Sequence, residues 1–286
     1  MTSQLFHRAG ELAADGFDLT VTPQQAGWAY SGLKVLTLAP GERRTLATGS
    51  SEYAMLPLQG GPCVVEVGSH RFELAARDSV FAAPSGFVYV PIDSEARLTA
   101  TGRVELAICT AEATRVIDAY AVPTDAIAVE VRGGGVGTRQ INNFLSADVH
   151  DADKLICVEV ITPEGSWSSY PPHKHDEFSD VEVELEEIYH FRIGGDPGGT
   201  GFFSCYTSDA AIDETVTVRD GDTFLVPRGY HGPAAATPGH HMYYLNVMAG
   251  PSDERVWRFC DDPTHTAQRA VLDAQPPDPR LPLHLR

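Results

Sequence analysis

Two twelve-residue stretches of this chain superpose when their prolines are aligned. Arg77-Asp-Ser-Val-Phe-Ala-Ala-Pro84-Ser-Gly86-Phe-Val88 and Asp220-Gly-Asp-Thr-Phe-Leu-Val-Pro227-Arg-Gly229-Tyr-His231 each read as a turn, an apolar strand and a Pro-x-Gly corner. Such self-similarity is the mark of a duplicated unit. Helical periodicity is scarce around it. Short apolar or alternating runs recur instead at 33–38, 64–67, 80–83, 104–109, 155–161, 181–193, 201–206, 215–218, 223–226 and 242–247, bounded by Gly, Pro, Asp and Asn. The pattern predicts an all-β chain made of two copies of one barrel, and 286 residues suit two such domains. Arg132-Gly-Gly-Gly-Val-Gly-Thr-Arg139 is too glycine-rich for an element interior and reads as a flexible crossover. The boundary therefore falls between 1–130 and 131–286. A phosphate-cradling role for these glycines lacks the Lys-Ser/Thr and the βαβ context it requires. The proline-rich tail from Gln275 onward reads as extended on the surface.

The chemistry is concentrated in the second copy. Tyr170-Pro-Pro-His173-Lys-His175-Asp176 carries two imidazoles two residues apart, which share a face of an extended strand while Lys174 points away. His231 follows the second Pro-x-Gly corner, at the position where the first copy has Val88. A carboxylate from Glu186 or Glu187 completes a set of nitrogen and oxygen donors that suits a borderline divalent ion, whether Zn, Mn, Fe, Co or Ni. On a strand these two glutamates face opposite ways. The first half has no His-x-His and reads as chemically silent.

Net charge limits the partners. With 21 Lys+Arg against 39 Asp+Glu the chain carries −18, a surface that repels phosphate backbones and anionic lipid, so neither nucleic acid nor membrane is expected. Cys63, Cys109, Cys157, Cys205 and Cys260 form no CxxC pair, as in a reducing compartment. The start of the chain shows no charged lead before an apolar run, and no stretch approaches the ~20 apolar residues of a membrane span. A cytoplasmic protein is expected.

The quoted motifs, together with Leu185-Glu-Glu-Ile-Tyr-His190 and Tyr243-Tyr-Leu-Asn-Val-Met-Ala-Gly250, resemble the cupin pattern. More specifically, they resemble the bacterial 5-deoxy-glucuronate isomerases of inositol catabolism, relatives of the pectin-pathway uronate isomerase, most densely over about 131–260. The resemblance implies a bicupin, two tandem jelly-roll β-barrels with the metal site in the C-terminal barrel only. It selects Glu187 beside His173, His175 and His231 as ligands of one divalent ion per chain, leaving Glu186 a solvated outer residue. Tyr189 and Phe191 then point inward and His190 outward.

The implied reaction is an aldose–ketose interconversion of a sugar acid, 5-deoxy-D-glucuronate to 5-dehydro-2-deoxy-D-gluconate, through an enediol with the metal as Lewis acid. Glu159, alone in an apolar strand, is a candidate base, and Tyr189, Tyr244 and His241 are the other catalytic candidates. Arg228, beside the corner, is the candidate for the substrate carboxylate. An iron-dependent cupin dioxygenase and a non-catalytic sugar-binding cupin use the same ligand set. The silent half is expected to cover sheet edges and to extend a homo-oligomer interface.

Overall fold

The computed structural model describes residues 4–283; residues 1–3, part of the segment in which no signal peptide is expected, lie outside the described residues. The chain is all-β with antiparallel pairing throughout. The α-helices among the described residues are Pro23–Ala26 and Thr266–Asp273, and no helix is long and apolar enough to cross a membrane. The cysteines are free thiols.

Four sheets stack as layers with a core between each pair. The outermost sheet of the first half runs Arg43–Ala47, Glu95–Ala100, Cys63–Val67, His70–Leu74. Its inner residues, such as Val65 and Leu98, pack on Leu36, Met55 and Ile108 of a six-stranded sheet that includes Ser31–Leu38, Ser51–Gly60 and Val104–Glu112. The other face of that sheet, with Leu33, Leu56 and Phe87, meets Cys157, Ile188 and Val247 of a seven-stranded sheet. The seven-stranded sheet in turn packs Val158, Tyr189 and Tyr244 on Phe203, Cys205 and Ala234 of the fourth sheet. Its edges are Phe6–His7, which pairs with Thr223 and Phe224, and Ala128–Arg132. The two central sheets are thus covered on both faces. That is why Ile156–Thr162 and Met242–Ala249 are buried at every position, whereas exposed and buried residues alternate along Glu95–Ala100.

Reciprocal carboxylates join the two halves. Glu186 accepts backbone N–H bonds from Ala29, Tyr30 and Ser31 at 2.6–2.8 Å, at the entry to Ser31–Leu38. Glu52 accepts the same three-amide pattern from Asp153, Lys154 and Leu155 at 2.7–2.8 Å, at the entry to Ile156–Thr162. Glu186 is therefore no solvated outer residue; it holds the first half against the second. Each such carboxylate satisfies three strand-entry donors with charge-assisted bonds.

Burial on two faces also decides which way Glu159 points. Its side chain points into the junction, where Arg77 forks onto it at 2.7 and 3.1 Å and Asn142 and Tyr243 donate at 2.9 and 2.8 Å. It stands on the opposite face of its strand from Val158 and Val160, which face the second-half core. Residues 80–83 form a turn instead of the expected strand, because Arg77 also donates to Ala83 O and draws the chain around its guanidinium.

His190 is outward from the second-half core, as expected, yet buried at the junction, with Nδ1 3.1 Å from Thr223 Oγ1. Burial, then the charge of Arg192, pushes its pKa down to about 3.

Arg77→Met is expected to cost about 3–5 kcal/mol in urea denaturation by stranding Glu159, and Arg77→Met with Glu159→Met should regain most of it. Equal losses in both would contradict this coupling. Because the folded pKa of His190 lies below its unfolded value, its contribution is complete above pH 6.5 and is lost as pH falls toward 3. His190→Gln should flatten that acid limb of the stability curve, which otherwise falls by about 1.4 kcal/mol per pH unit.

Candidate metal centre

The second half brings its histidines to one point through strand register. His173, in the short strand His173–Lys174, lies directly opposite His231 of Tyr230–Ala236. Glu187 is the second residue of Glu186–Ile193 and faces inward. Its Oε2 lies 3.0 Å from His175 Nε2 and 3.0 Å from His231 Nε2. One ligand atom from each of His175, Glu187 and His231 falls within 4.8 Å of the others. His173 stands beside this group, its ring centroid 4.5 Å from that of His231 and 6.3 Å from that of His175. All four side chains are buried. Gly232 lets the chain turn past them: its φ is +99°, and a Cβ there would lie 1.8 Å from Ser169 O.

The imidazoles are set to receive a cation. His175 Nδ1 lies 3.0 Å from Leu185 O and His231 Nδ1 3.0 Å from Gly229 O. A carbonyl only accepts, so in both rings Nδ1 carries the proton and Nε2 presents a lone pair in the neutral form. Those lone pairs face the Glu187 carboxylate, and His231 Nε2 is buried without a hydrogen-bond partner. In that tautomer three electron-rich atoms meet away from water, an arrangement that a proton or a metal cation between them would stabilise. The donor set fits a divalent ion.

The local electrostatics agree. Burial, reinforced by His231 and His175, holds His173 well below the usual imidazole pKa. Burial opposes the charged form of His175 too, but the hydrogen bond and charge of Glu187 outweigh it and raise the pKa. Burial would raise Glu187, yet His175 and His231 bring it down to about 2.

The group opens on a narrow cavity of about 50 Å³ lined by Glu187, His173, Tyr189, Tyr244, Asn246, Trp257, Phe259 and three arginines, Arg132, Arg139 and Arg269, among others. A larger cleft of about 870 Å³ lies against residues 4–8 and Leu225, but it holds none of the converging ligand atoms. Glu187 and His173 lie at the smaller one. Tyr244 Oη is 2.9 Å from Ser168 Oγ and 3.1 Å from Ser169 Oγ, which lies 3.4 Å from Tyr189 Oη. Burial raises the pKa of both phenols, and for Tyr189 the charge of Glu187 adds to it.

The remaining candidates stand elsewhere. Glu159 is across the sheet, in the junction. His241 accepts from Glu164 N at its Nδ1, where burial lowers its pKa, and does not line the cavity. Arg228 is 48% exposed and pairs with Asp209 at 3.2 Å, because the corner at Gly229 turns it to the outside. Lys174 points away onto Asp176 and Glu182. The arginines of the cavity were missed. Alternation with inward Ile141 could have flagged Arg139, whereas Arg269 arrives on a helix remote in sequence.

Comparison with known proteins places this geometry in context. The KduI/IolB family pattern matches residues 5–268, so the likeness confined by motifs to about 131–260 extends through the first half. The chain is 42% identical over 256 residues to the 5-deoxy-glucuronate isomerase of Geobacillus kaustophilus (strain HTA426), spanning 88% of this chain and 90% of that protein. It is 36% identical over 248 residues to that of Bacillus subtilis (strain 168), spanning 86% and 90%. A solved IolB-like protein from Salmonella typhimurium LT2 superposes with a TM-score of 0.86 at 36% identity, over 92% of this chain and 98% of that one. Lactobacillus farciminis oxalate decarboxylase superposes with a TM-score of 0.62 at 11% identity, over 91% and 89%, a likeness of fold alone.

Adding a divalent ion at a hundredfold its Kd should stabilise the protein by about 2.7 kcal/mol, seen as a Tm rise of several degrees. Glu187→Gln and His175→Ala should lose that rise. An undiminished rise in both would place the ion elsewhere.

Proposed function

The chain belongs to the KduI/IolB family, and from that premise we propose that it is a 5-deoxy-glucuronate isomerase working at the His175–Glu187–His231 centre. It converts 5-deoxy-D-glucuronate to 5-dehydro-2-deoxy-D-gluconate. The observation that carries the reading is the buried convergence of those three side chains, of which Glu187 lines a cavity together with His173, Tyr189 and Tyr244. The fold is read as a bicupin of two jelly-roll barrels dividing near residue 130. Its first barrel is without the ligand set, since Val88 occupies the place of His231.

One divalent ion would be held by His175, Glu187 and His231, with His173 completing the set. When bound it supplies Lewis-acid stabilisation of the oxygen on which negative charge develops. The protein's own groups do the rest. Glu187, kept ionised, neutralises the centre and orients the two imidazoles through its Oε2. Tyr189 and Tyr244 stay protonated at neutral pH, so they act as donors and not as bases. Linked through Ser169, their hydroxyls can hand a proton between the two adjacent substrate oxygens. Phe259 and Trp257 wall the cavity and exclude water.

A second reading has an observation in its favour. No carboxylate other than Glu187 is among the residues lining the cavity. Hydrogen transfer between the carbons by a hydride shift needs no such base.

Incubation of metal-reconstituted protein with 5-deoxy-glucuronate in D₂O, followed by NMR, tests function and route together. Ketose bearing deuterium at the carbon next to the new carbonyl supports the enediol; ketose without it supports the hydride shift. No ketose with any of several divalent ions would overturn the isomerase reading. Tyr244→Phe should lower kcat by about 100-fold or more, with KM little changed.

A further inference from the structure

In a chain of net charge −18, three arginines line the same small cavity. Arg132 and Arg139 are direct cross-strand partners between Ala128–Arg132 and Arg139–Leu145, a pairing of like charges that costs stability. Two of the three have their own counter-ions. Arg132 Nε lies 2.7 Å from Glu130 Oε1, and Arg269 forks onto Asp261 at 2.6 and 2.5 Å. Arg139 has no carboxylate within 4.0 Å among the described residues; its Nη1 reaches only Gly137 O, at 3.4 Å. Burial lowers its pKa; Tyr244 and, more weakly, Asp273 oppose this, while Arg269 and Arg132 reinforce it. A half-buried guanidinium without a carboxylate beside it carries a desolvation cost that an anionic ligand would offset.

Two further donors on cavity-lining residues, Asn246 Nδ2 and Trp257 Nε1, are buried without hydrogen-bond partners. Unsatisfied buried donors around a free guanidinium describe a receptor for an anion rich in acceptor oxygens.

The glycine run that reads as a flexible crossover builds this receptor. A Cβ on Gly134 would lie 2.1 Å from Gln275 O and 2.4 Å from Leu272 O, and one on Gly135 would lie 2.0 Å from Gln275 Oε1. Gly135 N donates to Pro276 O at 2.9 Å. The glycines are therefore a seat for the end of the Thr266–Asp273 helix, whose Arg269 reaches the cavity. The tail beyond is bound too, with Asp278 N donating to Thr138 Oγ1 and Leu283 N to Gln140 Oε1.

We propose that Arg139, backed by Arg269, is the receptor for the substrate's carboxylate, holding the acid end of the sugar while its carbonyl end faces the histidine–glutamate centre. The assignment rests on the isomerase reading and replaces Arg228 in this role. It explains how an acidic protein takes an anionic substrate: the local cations lie inside the cavity, screened from the surface charge. A planar fork matches a carboxylate bidentately, so lysine is a poor substitute.

The test compares wild type, Arg139→Gln and Arg139→Lys, all metal-loaded, in two arms. In calorimetric titration with 5-deoxy-glucuronate, Arg139→Gln should weaken binding by about 30-fold or more, and Arg139→Lys by less. In turnover the loss should appear in KM with kcat nearly kept. The neutral analogue, with hydroxymethyl in place of the carboxylate, should be handled alike by wild type and Arg139→Gln. The metal-induced Tm rise checks that each variant is folded. Unchanged affinity for the acid in folded Arg139→Gln, or equal losses for acid and neutral analogue, would overturn the assignment. Absence of turnover by wild type would overturn the isomerase reading alone, since the binding arm still decides on Arg139.

Discussion

Side-chain alternation along Glu186–Ile193 is the constraint on which the rest of this structure depends. One face of the strand sends Glu187, Tyr189 and Phe191 into the second-half core, where Glu187 meets two imidazoles at 3.0 Å. The other face sends Glu186, Ile188, His190 and Arg192 into the junction, where Glu186 takes three amides and Arg192 pairs with Glu105 at 2.8 Å. A slip of one residue would exchange the two sets. It would place the imidazole-facing carboxylate in the junction and leave the entry to Ser31–Leu38 without its acceptor. Site and inter-half contact are therefore fixed by the same register.

The first half has a physical role at the junction. Glu52 and Glu186 each open a central strand and each hold the approach to a strand of the other half. Arg77, from the first copy of the repeat, neutralises Glu159 of the second half across the junction. The seven-stranded sheet that positions Glu187 is thereby buried on both faces and held rigid. A catalytic carboxylate must be placed to within about 0.5 Å of its working position, and a sheet packed on both faces supplies that better than a loop.

Much of this was legible in the sequence, and the failures share a cause. The all-β class followed from short runs and turn residues and the outward Lys174 from alternation, while the family resemblance chose Glu187 over Glu186 as the inward carboxylate. Alternation predicts which face a residue takes, but not what covers that face. Glu159 stood as a candidate base, Glu186 as a solvated residue and His190 as an outward one, because a single sequence does not reveal a second sheet across the junction. Arg228 failed because a Pro-x-Gly corner reverses the chain within two residues. The glycines at 134–137 look flexible in sequence, since the helix that fills their space lies more than a hundred residues away. Arg139 and Arg269 belong to the same class, meeting only when the C-terminal helix docks.

The central claim is that Glu187 gathers the imidazoles around one divalent ion at the head of the sugar-acid cavity. Anomalous diffraction at the metal edge from crystals of the reconstituted protein tests it most directly. The account predicts a single strong peak in the second half, ligated by Glu187 and by Nε2 of His175 and His231. A peak elsewhere, or none in crystals of protein that still isomerises its substrate, would contradict it.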